Sequence, residues 1–380
     1  MAWSHHQGRG GLAPEAGPPD HLGEGGEGEQ QLQAAAQPGR PPLELRLPAD
    51  GVLERKLDKD GKVVVQPYVF DDNIAIAVDV ALATDRPLLV SGDPGTGKSR
   101  LADAVAELQG WSLISKTVTS RTRLESLTAE VDQLRRLNDA QARGGKARLR
   151  PDAFYLNPGA FWWAFEPETA RRRGMAPQDA AEHGAELSHP GTERSAERPE
   201  DQGAVLLIDE IDKAEPDLPN DLLEPLDRRR FDLPNGFRAS LPGGGHTDRI
   251  QAPEGPILLT VITTNGEREL PQAFLRRCVR LELRLPEKDD ERVAWLRDIA
   301  LHHFPDGDKD RTEAIARRLI HFQKRAGELQ RRLPGTAELL DAVRACEELE
   351  ITVSDKPASV WGQLERAVIA KDEGLWAARG

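Results

Sequence analysis

Eight consecutive residues, Gly92-Asp93-Pro94-Gly95-Thr96-Gly97-Lys98-Ser99, constrain the fold of this chain more than any other segment. They match the pattern G-x-x-x-x-G-K-[S/T] in full, and that pattern has physical meaning only between a strand and a helix. Both are predicted here: residues 87–91 form a short apolar run, and residues 100–108 have apolar side chains at helical spacing. A chance match in a glycine-rich turn is the alternative, which these flanks disfavour. The segment therefore predicts a phosphate-binding loop in an α/β domain.

The residue types in this loop suit a nucleoside triphosphate. Glycines 92, 95 and 97 let the backbone turn tightly, so that consecutive N–H groups reach phosphate oxygens. Lys98 supplies a mobile positive charge for the β and γ phosphates, and the Ser99 hydroxyl is placed to ligate the Mg²⁺ that bridges them. We therefore expect residues 92–99 to bind the nucleotide and Ser99 to be one metal ligand.

An apolar run that ends in two acidic residues forms the second part of the predicted site. Residues 204–208 read Ala-Val-Leu-Leu-Ile, as in a strand buried on both faces of a parallel sheet, and Asp209 and Glu210 follow directly. Because ligands of open α/β sheets bind at the carboxyl ends of strands, both carboxylates are expected beside the phosphates. Asp209 would hold Mg²⁺ through water, and Glu210 would polarise the attacking water. A simple turn-capping pair is the alternative.

Together, residues 92–99 and 205–214 resemble an AAA+ ATPase, and their surroundings resemble its MoxR-like branch. The resemblance covers residues 64–380. It implies ATP and Mg²⁺ as cofactors and a P-loop three-layer α/β sandwich with a parallel sheet, followed by a small all-α lid. The expected domains are an AAA+ nucleotide-binding domain at 46–286 and a helical lid at 287–380. Composition, not the resemblance, predicts a disordered tail at 1–45 and a polar insertion in the AAA+ domain at about 166–203.

Two further catalytic residues are assigned by this resemblance. Asn265, which follows the apolar run 257–264, corresponds to the polar sensor that orients the hydrolytic water; an Asn that only starts a turn is the alternative. In segment 271–278 the family's arginine finger aligns best with Arg277, with Arg276 as the fallback. A guanidinium there would stabilise charge on the γ-phosphate of a neighbouring subunit. A surface arginine pair without a role is the alternative.

The predicted lid departs from the family pattern at one position. MoxR-like proteins usually place an Arg near the start of the third lid helix, whereas this chain has Glu338 there. Since a carboxylate cannot donate to phosphate, the lid would sense nucleotide through another residue, with Arg344 as the candidate, or not at all. The four lid helices are expected at 289–304, 311–329, 336–349 and 358–375.

Four other segments carry structural expectations. An amphipathic helix is predicted over 124–137, with its leucines on the buried face and Arg135 and Arg136 on the other. The aromatic run 155–165 is interpreted as buried core, with a partner-binding surface as the alternative. Residues 166–203 are polar and weakly patterned, which predicts a mobile insertion rather than a second core. The resemblance to the MoxR-like branch also implies a hairpin after the acidic strand, with residues 230–236 and 249–253 as its two arms.

Composition limits the partners and the compartment. The chain has 380 residues and a formal charge of -13, which argues against nucleic acid or an anionic membrane as its main partner. Cys278 and Cys346 give no disulfide framework, and no run of about 18 apolar residues or signal-peptide layout is present. These features predict a cytoplasmic protein without a membrane span.

The function implied by the resemblance is that of a homo-oligomeric ATPase, a hexameric ring that remodels or activates a partner protein. The implied client is a protein with a von Willebrand factor A domain. The alternative is a nucleotide-gated scaffold or switch in a defence or signalling assembly with little turnover. A DNA-handling motor of the GTP-using branch is disfavoured by the acidic charge and by the lack of an N-K-x-D motif.

Overall fold

The computed structural model describes residues 45, 47–48, 50–60, 62–142, 150–191, 203–241, 244–255 and 257–377. The strands are β1 (Val52–Leu53), β2 (Lys56–Leu57), β3 (Val63–Val65), β4 (Tyr68–Val69), β5 (Leu88–Gly92), β6 (Ser112–Thr117), β7 (Ala129–Val131), β8 (Leu156–Pro158), β9 (Ala204–Asp209), β10 (Arg230–Asp232), β11 (Ala239–Ser240), β12 (His246–Thr247), β13 (Arg249–Gln251), β14 (Leu258–Thr264) and β15 (Val279–Leu283).

The helices are α1 (Asp72–Thr84), α2 (Lys98–Gln109), α3 (Leu124–Leu127), α4 (Gln133–Ala142), α5 (Ala160–Phe165), α6 (Pro167–Arg171), α7 (Pro177–His183), α8 (Leu218–Asp221), α9 (Leu223–Arg228), α10 (Gln272–Leu275), α11 (Asp289–His303), α12 (Lys309–Glu328), α13 (Thr336–Glu348), α14 (Val360–Val368) and α15 (Glu373–Ala377). Short 3-10 turns lie at Asp152–Tyr155 and Ile211–Lys213. The predicted tail at 1–45, Leu45 excepted, and residues 192–202 of the predicted insertion lie outside the described residues.

Among the described residues, five strands form one parallel sheet in the order β15-β5-β14-β9-β6. The register places Ile208 of β9 beside Ile262 of β14, and Thr264 of β14 beside Ser91 of β5. These three strands therefore end at the same edge of the sheet. The phosphate loop, the acidic pair and Asn265 each follow one of these strand ends.

Alternate side chains along the central strands pack against different layers, because successive residues of a strand point to opposite faces. On β9, Leu206 and Ile208 join a core with the aromatic residues of α5, whereas Val205 and Leu207 join a core with α1 and α2. Both faces are covered, which accounts for the unbroken apolar run in the sequence. The predicted three-layer α/β class is confirmed.

The aromatic run 155–165 is core, as interpreted from the sequence. Trp162 is fully buried and its Nε1 donates to Thr169 Oγ1 at 2.9 Å, so the polar edge of the ring has a partner. Phe161 and Phe165 are 1% and 3% exposed. The β10–β13 hairpin is also present where it was predicted, with Phe231 paired to Ile250.

Residues 166–191 are packed rather than mobile, so the expectation for this part of the insertion is wrong. Arg173 is only 8% exposed, and its guanidinium donates to the carbonyl oxygens of Leu156 at 2.7 Å and Ala185 at 3.2 Å. This buried cation fastens the segment to β8, which composition alone does not indicate. A small separate core results; its members are Phe154, Tyr155, Met175, Ala180 and Ala185.

The single helix predicted over 124–137 is also wrong, since the segment forms α3, β7 and the start of α4. Pairing of β7 with β8 supplies backbone hydrogen bonds that a helix would have supplied locally. Leu134 and Leu137 are 69% and 54% exposed, while the Arg135 guanidinium carbon lies 4.1 Å from the centre of the Phe154 ring. The helix thus presents its leucines outward and an arginine inward.

The C-terminal helices α11 to α15 surround a core of their own that contains Leu319, Phe322, Leu339 and Trp361. They confirm the predicted helical lid, except that the expected last helix is divided into α14 and α15. The division follows from Ala370, whose N–H donates to Glu365 O at 2.8 Å and closes the turn after α14. No helix in the described ranges is both long and apolar enough to cross a membrane.

Candidate functional site

The phosphate loop joins the end of β5 to the start of α2. Gly95 and Gly97 have φ angles of +83° and +89°, which residues with a Cβ rarely adopt. A Cβ on Gly95 would lie 3.1 Å from Gly335 Cα, at the start of α13. Glycine is therefore required both by the turn of the loop and by its close contact with the lid.

The Lys98 side chain folds back over the loop. Its Nζ donates to the carbonyl oxygens of Gly92 at 2.8 Å and Asp93 at 2.9 Å. Burial lowers the pKa of Lys98, and the negative charges of Asp93 and Asp209 oppose that shift. The ammonium group is thus held above the loop by acceptors that phosphate oxygens could replace.

Three oxygen-bearing side chains meet at the carboxyl edge of the sheet. The hydroxyls of Ser99 and Thr263 both donate to Asp209 Oδ1, each at 2.6 Å. Hydroxyl and carboxylate oxygens are the hard ligands that Mg²⁺ prefers, so Ser99 and Asp209 fit the metal role predicted for them. Sequence reasoning missed Thr263. Its signal in the sequence is a polar residue within the apolar run of β14, and the structure shows that this position is fully buried.

Glu210 has an unusual backbone conformation that is held in place by this network. Its φ and ψ are 60° and 50°, in the left-handed region, and its N–H donates to Thr263 Oγ1 at 2.9 Å. Such a conformation costs a non-glycine residue on the order of 1–3 kcal/mol and occurs often at functional sites. It directs the Glu210 side chain toward Asn265, whose Nδ2 donates to Glu210 Oε1 at 3.4 Å.

A lysine that sequence reasoning did not single out also contacts Glu210. Lys213 Nζ donates to Glu210 Oε2 at 2.6 Å, and this bond raises the pKa of Lys213. The side chains of Lys213 and Glu210 are 39% and 29% exposed. Both oxygens of the Glu210 carboxylate therefore accept hydrogen bonds from side chains in this structure.

Asp212 is a second contributor that the sequence reasoning missed. It is 2% exposed, and its Oδ2 accepts from the backbone N–H groups of Asn265 at 3.1 Å and Glu267 at 2.9 Å. The turn after β9 is thereby fastened to the loop after β14. Its only sequence signal is its place as the third acidic residue after an apolar run.

A cavity of about 1150 Å³ lies between the α/β domain and the lid, and the phosphate loop, Asp209, Glu210 and Asn265 all line it. That volume is somewhat above the 300–1,000 Å³ typical of small-ligand sites. Tyr68, Trp295 and His303 provide aromatic surface in the same cavity. Burial, reinforced by the charges of Arg100 and Arg55, lowers the pKa of His303 to about 4, so its imidazole is neutral at pH 7.

In the lid, Glu338 has a structural role instead of a phosphate contact. Its Oε2 accepts from Gly335 N at 2.8 Å and so caps the start of α13. The candidate sensor Arg344 lines the cavity, and so does Arg332, which lies 3.7 Å from Glu338 Oε1. The lid therefore presents two guanidinium groups to the cavity, although position 338 carries a carboxylate.

Arg277 lies away from the other predicted site residues. It precedes β15, whose first residue Val279 pairs with Leu88 at the amino end of β5, so it is at the opposite edge of the sheet from the phosphate loop. Its Nε donates to Asp227 Oδ2 at 2.5 Å. Arg276, the fallback residue, forms no ion pair with any residue in the described part of the chain.

A parallel sheet with a phosphate loop, an acidic strand end and a polar strand end, followed by a helical lid, defines a nucleotide-binding protein of the P-loop class. The chain belongs to the AAA domain family (dynein-related subfamily), whose model matches residues 87–278. This match confirms the predicted AAA+ family. Nucleotide binding is confirmed as a general property of that family. The MoxR-like branch stays a prediction.

Two individual proteins show more limited similarity. Over 53 residues the chain is 43% identical to Midasin of Giardia intestinalis, which is 14% of this chain and 1% of that protein. The crystal structure of a candidate ATPase from Cytophaga hutchinsonii is 13% identical, with 60% of this chain and 48% of that chain covered and a TM-score of 0.30. The chain thus spans a very small part of the curated relative, and family membership rests on the family model.

Proposed function

We propose that the chain is a Mg²⁺-dependent ATPase that hydrolyses ATP at the carboxyl edge of its sheet. The observation that carries the proposal is the continuous hydrogen-bonded network from Ser99 through Asp209 and Thr263 to Glu210 and Asn265. In this network Ser99 and Asp209, the metal ligands that we propose, lie next to a carboxylate and an amide, and this combination supports activation of a water beside a bound phosphate.

Each residue has a distinct part in the proposed reaction. The backbone of residues 92–99 binds the phosphates, and Lys98 exchanges two carbonyl acceptors for phosphate oxygens. Ser99 and Asp209 would hold Mg²⁺, which would neutralise phosphate charge when bound. Glu210 accepts a proton from the attacking water, and the Asn265 amide orients that water.

We further propose that the active site is shared between subunits of a homo-oligomeric ring. Arg277 lies at the opposite edge of the sheet from its own phosphate loop, which supports a role toward the nucleotide of a neighbour. The hexameric ring, the MoxR-like branch and a client with a von Willebrand factor A domain are proposed from the sequence resemblance alone.

Substitution of Glu210 by Gln tests the proposed base. The amide keeps the size of the side chain but cannot accept the proton, so turnover should fall by about 10²- to 10⁴-fold while ATP binding is retained. Glu291→Gln is the matched control, because Glu291 is also ion-paired with a lysine three residues away, Lys288, at 2.7 Å. ATP affinity and steady-state phosphate release are measured for both variants. Turnover that survives in Glu210→Gln would show that Glu210 is not the base.

The alternative of a low-turnover nucleotide switch is supported by two observations. Both oxygens of Glu210 are engaged by side chains, and Glu338 caps a helix where the family would place a phosphate-sensing arginine. Tight ATP binding by the wild-type chain with negligible phosphate release, also in the presence of a partner, would favour the switch over the motor.

A further inference from the structure

The ion pair between Lys213 and Glu210 is the shortest side-chain contact made by the proposed base. We propose that Lys213 is a positioning residue that holds the Glu210 carboxylate in a resting geometry and so limits the rate of ATP hydrolysis. The inference rests on the proposed function, because it concerns the rate at that same site. It assigns to Lys213 a role in setting turnover that the phosphate-loop and acidic-strand motifs do not contain.

The backbone around this ion pair is rigid. Ile211 is fully buried and Asp212 is 2% exposed, so the short turn that carries Lys213 is fixed to the core. Lys213 N donates to Glu210 O at 3.0 Å within the same turn, and Glu210 N is held by Thr263. Both partners of the ion pair therefore start from fixed backbone positions. Only rotation about their side-chain bonds can separate them.

The ion pair opposes the chemistry proposed for Glu210. A general base needs a free lone pair directed at the water, whereas Lys213 Nζ lies 2.6 Å from Oε2 and Asn265 Nδ2 lies 3.4 Å from Oε1. Release of Lys213 from Oε2 would therefore free that oxygen for the water.

A second carboxylate is available to receive Lys213. Glu267 lies on the loop after β14, and its negative charge contributes to the raised pKa of Lys213, after the larger effect of the hydrogen bond to Glu210. The Glu267 N–H is bound by Asp212, in the same turn as Lys213. Transfer of the ammonium from Glu210 to Glu267 would free the base without leaving the lysine unpaired. The Asn265 loop and the base are thereby linked.

Steady-state ATP turnover of the full chain, without any partner, tests this inference. Lys213→Met should raise kcat by about two- to fivefold, because a partly exposed ion pair is worth only a small free energy, and should leave the KM for ATP unchanged. Lys213→Arg, which keeps the charge and the hydrogen bond, should behave as wild type. Lys288→Met is the matched control, since it removes an exposed i,i+3 ion pair with Glu291 in the lid.

The outcomes separate this inference from the proposed function. A rise in kcat in Lys213→Met that Lys213→Arg does not show supports it, since only the methionine removes the hydrogen bond to Glu210; simple damage to the fold would lower kcat. Wild-type turnover that Lys213→Met leaves unchanged or reduces overturns the inference alone. ATP binding without turnover in both wild type and Lys213→Met contradicts the inference and the proposed function together.

Discussion

Two buried polar side chains, Thr263 and Asp212, connect the residues that carry the proposed chemistry. Thr263 donates to Asp209 and accepts from Glu210 N, while Asp212 accepts from the backbone of the Asn265 loop. Neither side chain is assigned a contact with nucleotide. Their positions determine where the proposed base, Glu210, and the proposed sensor, Asn265, lie, because each satisfies backbone or side-chain groups of two neighbouring strand ends.

Substitution of Asp212 by Ala should destabilise the chain by about 1 kcal/mol, since it leaves two partly buried backbone N–H groups without an acceptor. Asp212→Asn keeps one acceptor oxygen and should cost clearly less. Urea unfolding of both variants measures the difference, and the kcat of each variant should fall in the same order because Asn265 depends on this contact. Equal losses of stability in Asp212→Ala and Asp212→Asn would show that the acceptor oxygen of the side chain is not what stabilises this turn.

The residues that sequence reasoning found and those that it missed differ in one physical respect. Lys98, Ser99 and Asp209 belong to local motifs, in which neighbouring residues already define the role of each. Thr263 and Asp212 act across strands, so their partners are known only once the order β5-β14-β9 is known. No local pattern in a single sequence contains that order.

At the scale of secondary-structure elements, periodicity predicted the sheet and lid well and failed at α4. The central strands and the lid helices bury one or both faces along their whole length, so the apolar pattern reports the structure directly. In α4 the leucines face outward because Arg135 stacks on Phe154. The residues of β7, which were predicted to be helical, instead pair with β8. Tertiary pairing there outweighs the local helical pattern.

Substitutions in α4 test this inverted arrangement. Leu134→Gln and Leu137→Gln should each change the free energy of unfolding by less than about 0.5 kcal/mol, because both side chains are exposed. Arg135→Ala should cost about 1 kcal/mol through loss of the cation–π contact with Phe154. Chemical denaturation of the three variants gives the comparison. A larger loss at Leu134 than at Arg135 would mean that the leucine face is buried after all.

At the scale of the whole molecule, one chain holds the two halves of the proposed active site at opposite edges of its sheet. The phosphate loop and the acidic pair follow the carboxyl ends of the strands, whereas Arg277 precedes β15 and contacts Asp227. Closed oligomers of identical subunits bring two different surfaces of the same chain into contact when the arrangement is head to tail. Such a ring would place Arg277 of one subunit beside the nucleotide of the next.

A mixing experiment tests whether the halves belong to different subunits. Arg277→Ala and Glu210→Gln should each be inactive alone, since each lacks one half of every site. Mixed in equal amounts and allowed to exchange, they should recover about a quarter of wild-type turnover. In a randomly assembled ring, about a quarter of the sites combine an intact Glu210 from one subunit with an intact Arg277 from its neighbour.

The control mixes Lys98→Ala with Glu210→Gln, which both damage the half that binds nucleotide, so no subunit arrangement restores a site. Arg276→Ala mixed with Glu210→Gln assigns the finger: if Arg276→Ala is active alone, Arg277 is the finger, and if it is inactive alone and complements, Arg276 has that role. Phosphate release measured before and after subunit exchange gives each result. Failure of both arginine variants to complement Glu210→Gln, while the subunits demonstrably exchange, would contradict the shared site, because a finger acting in trans must be restored by a neighbour that retains it.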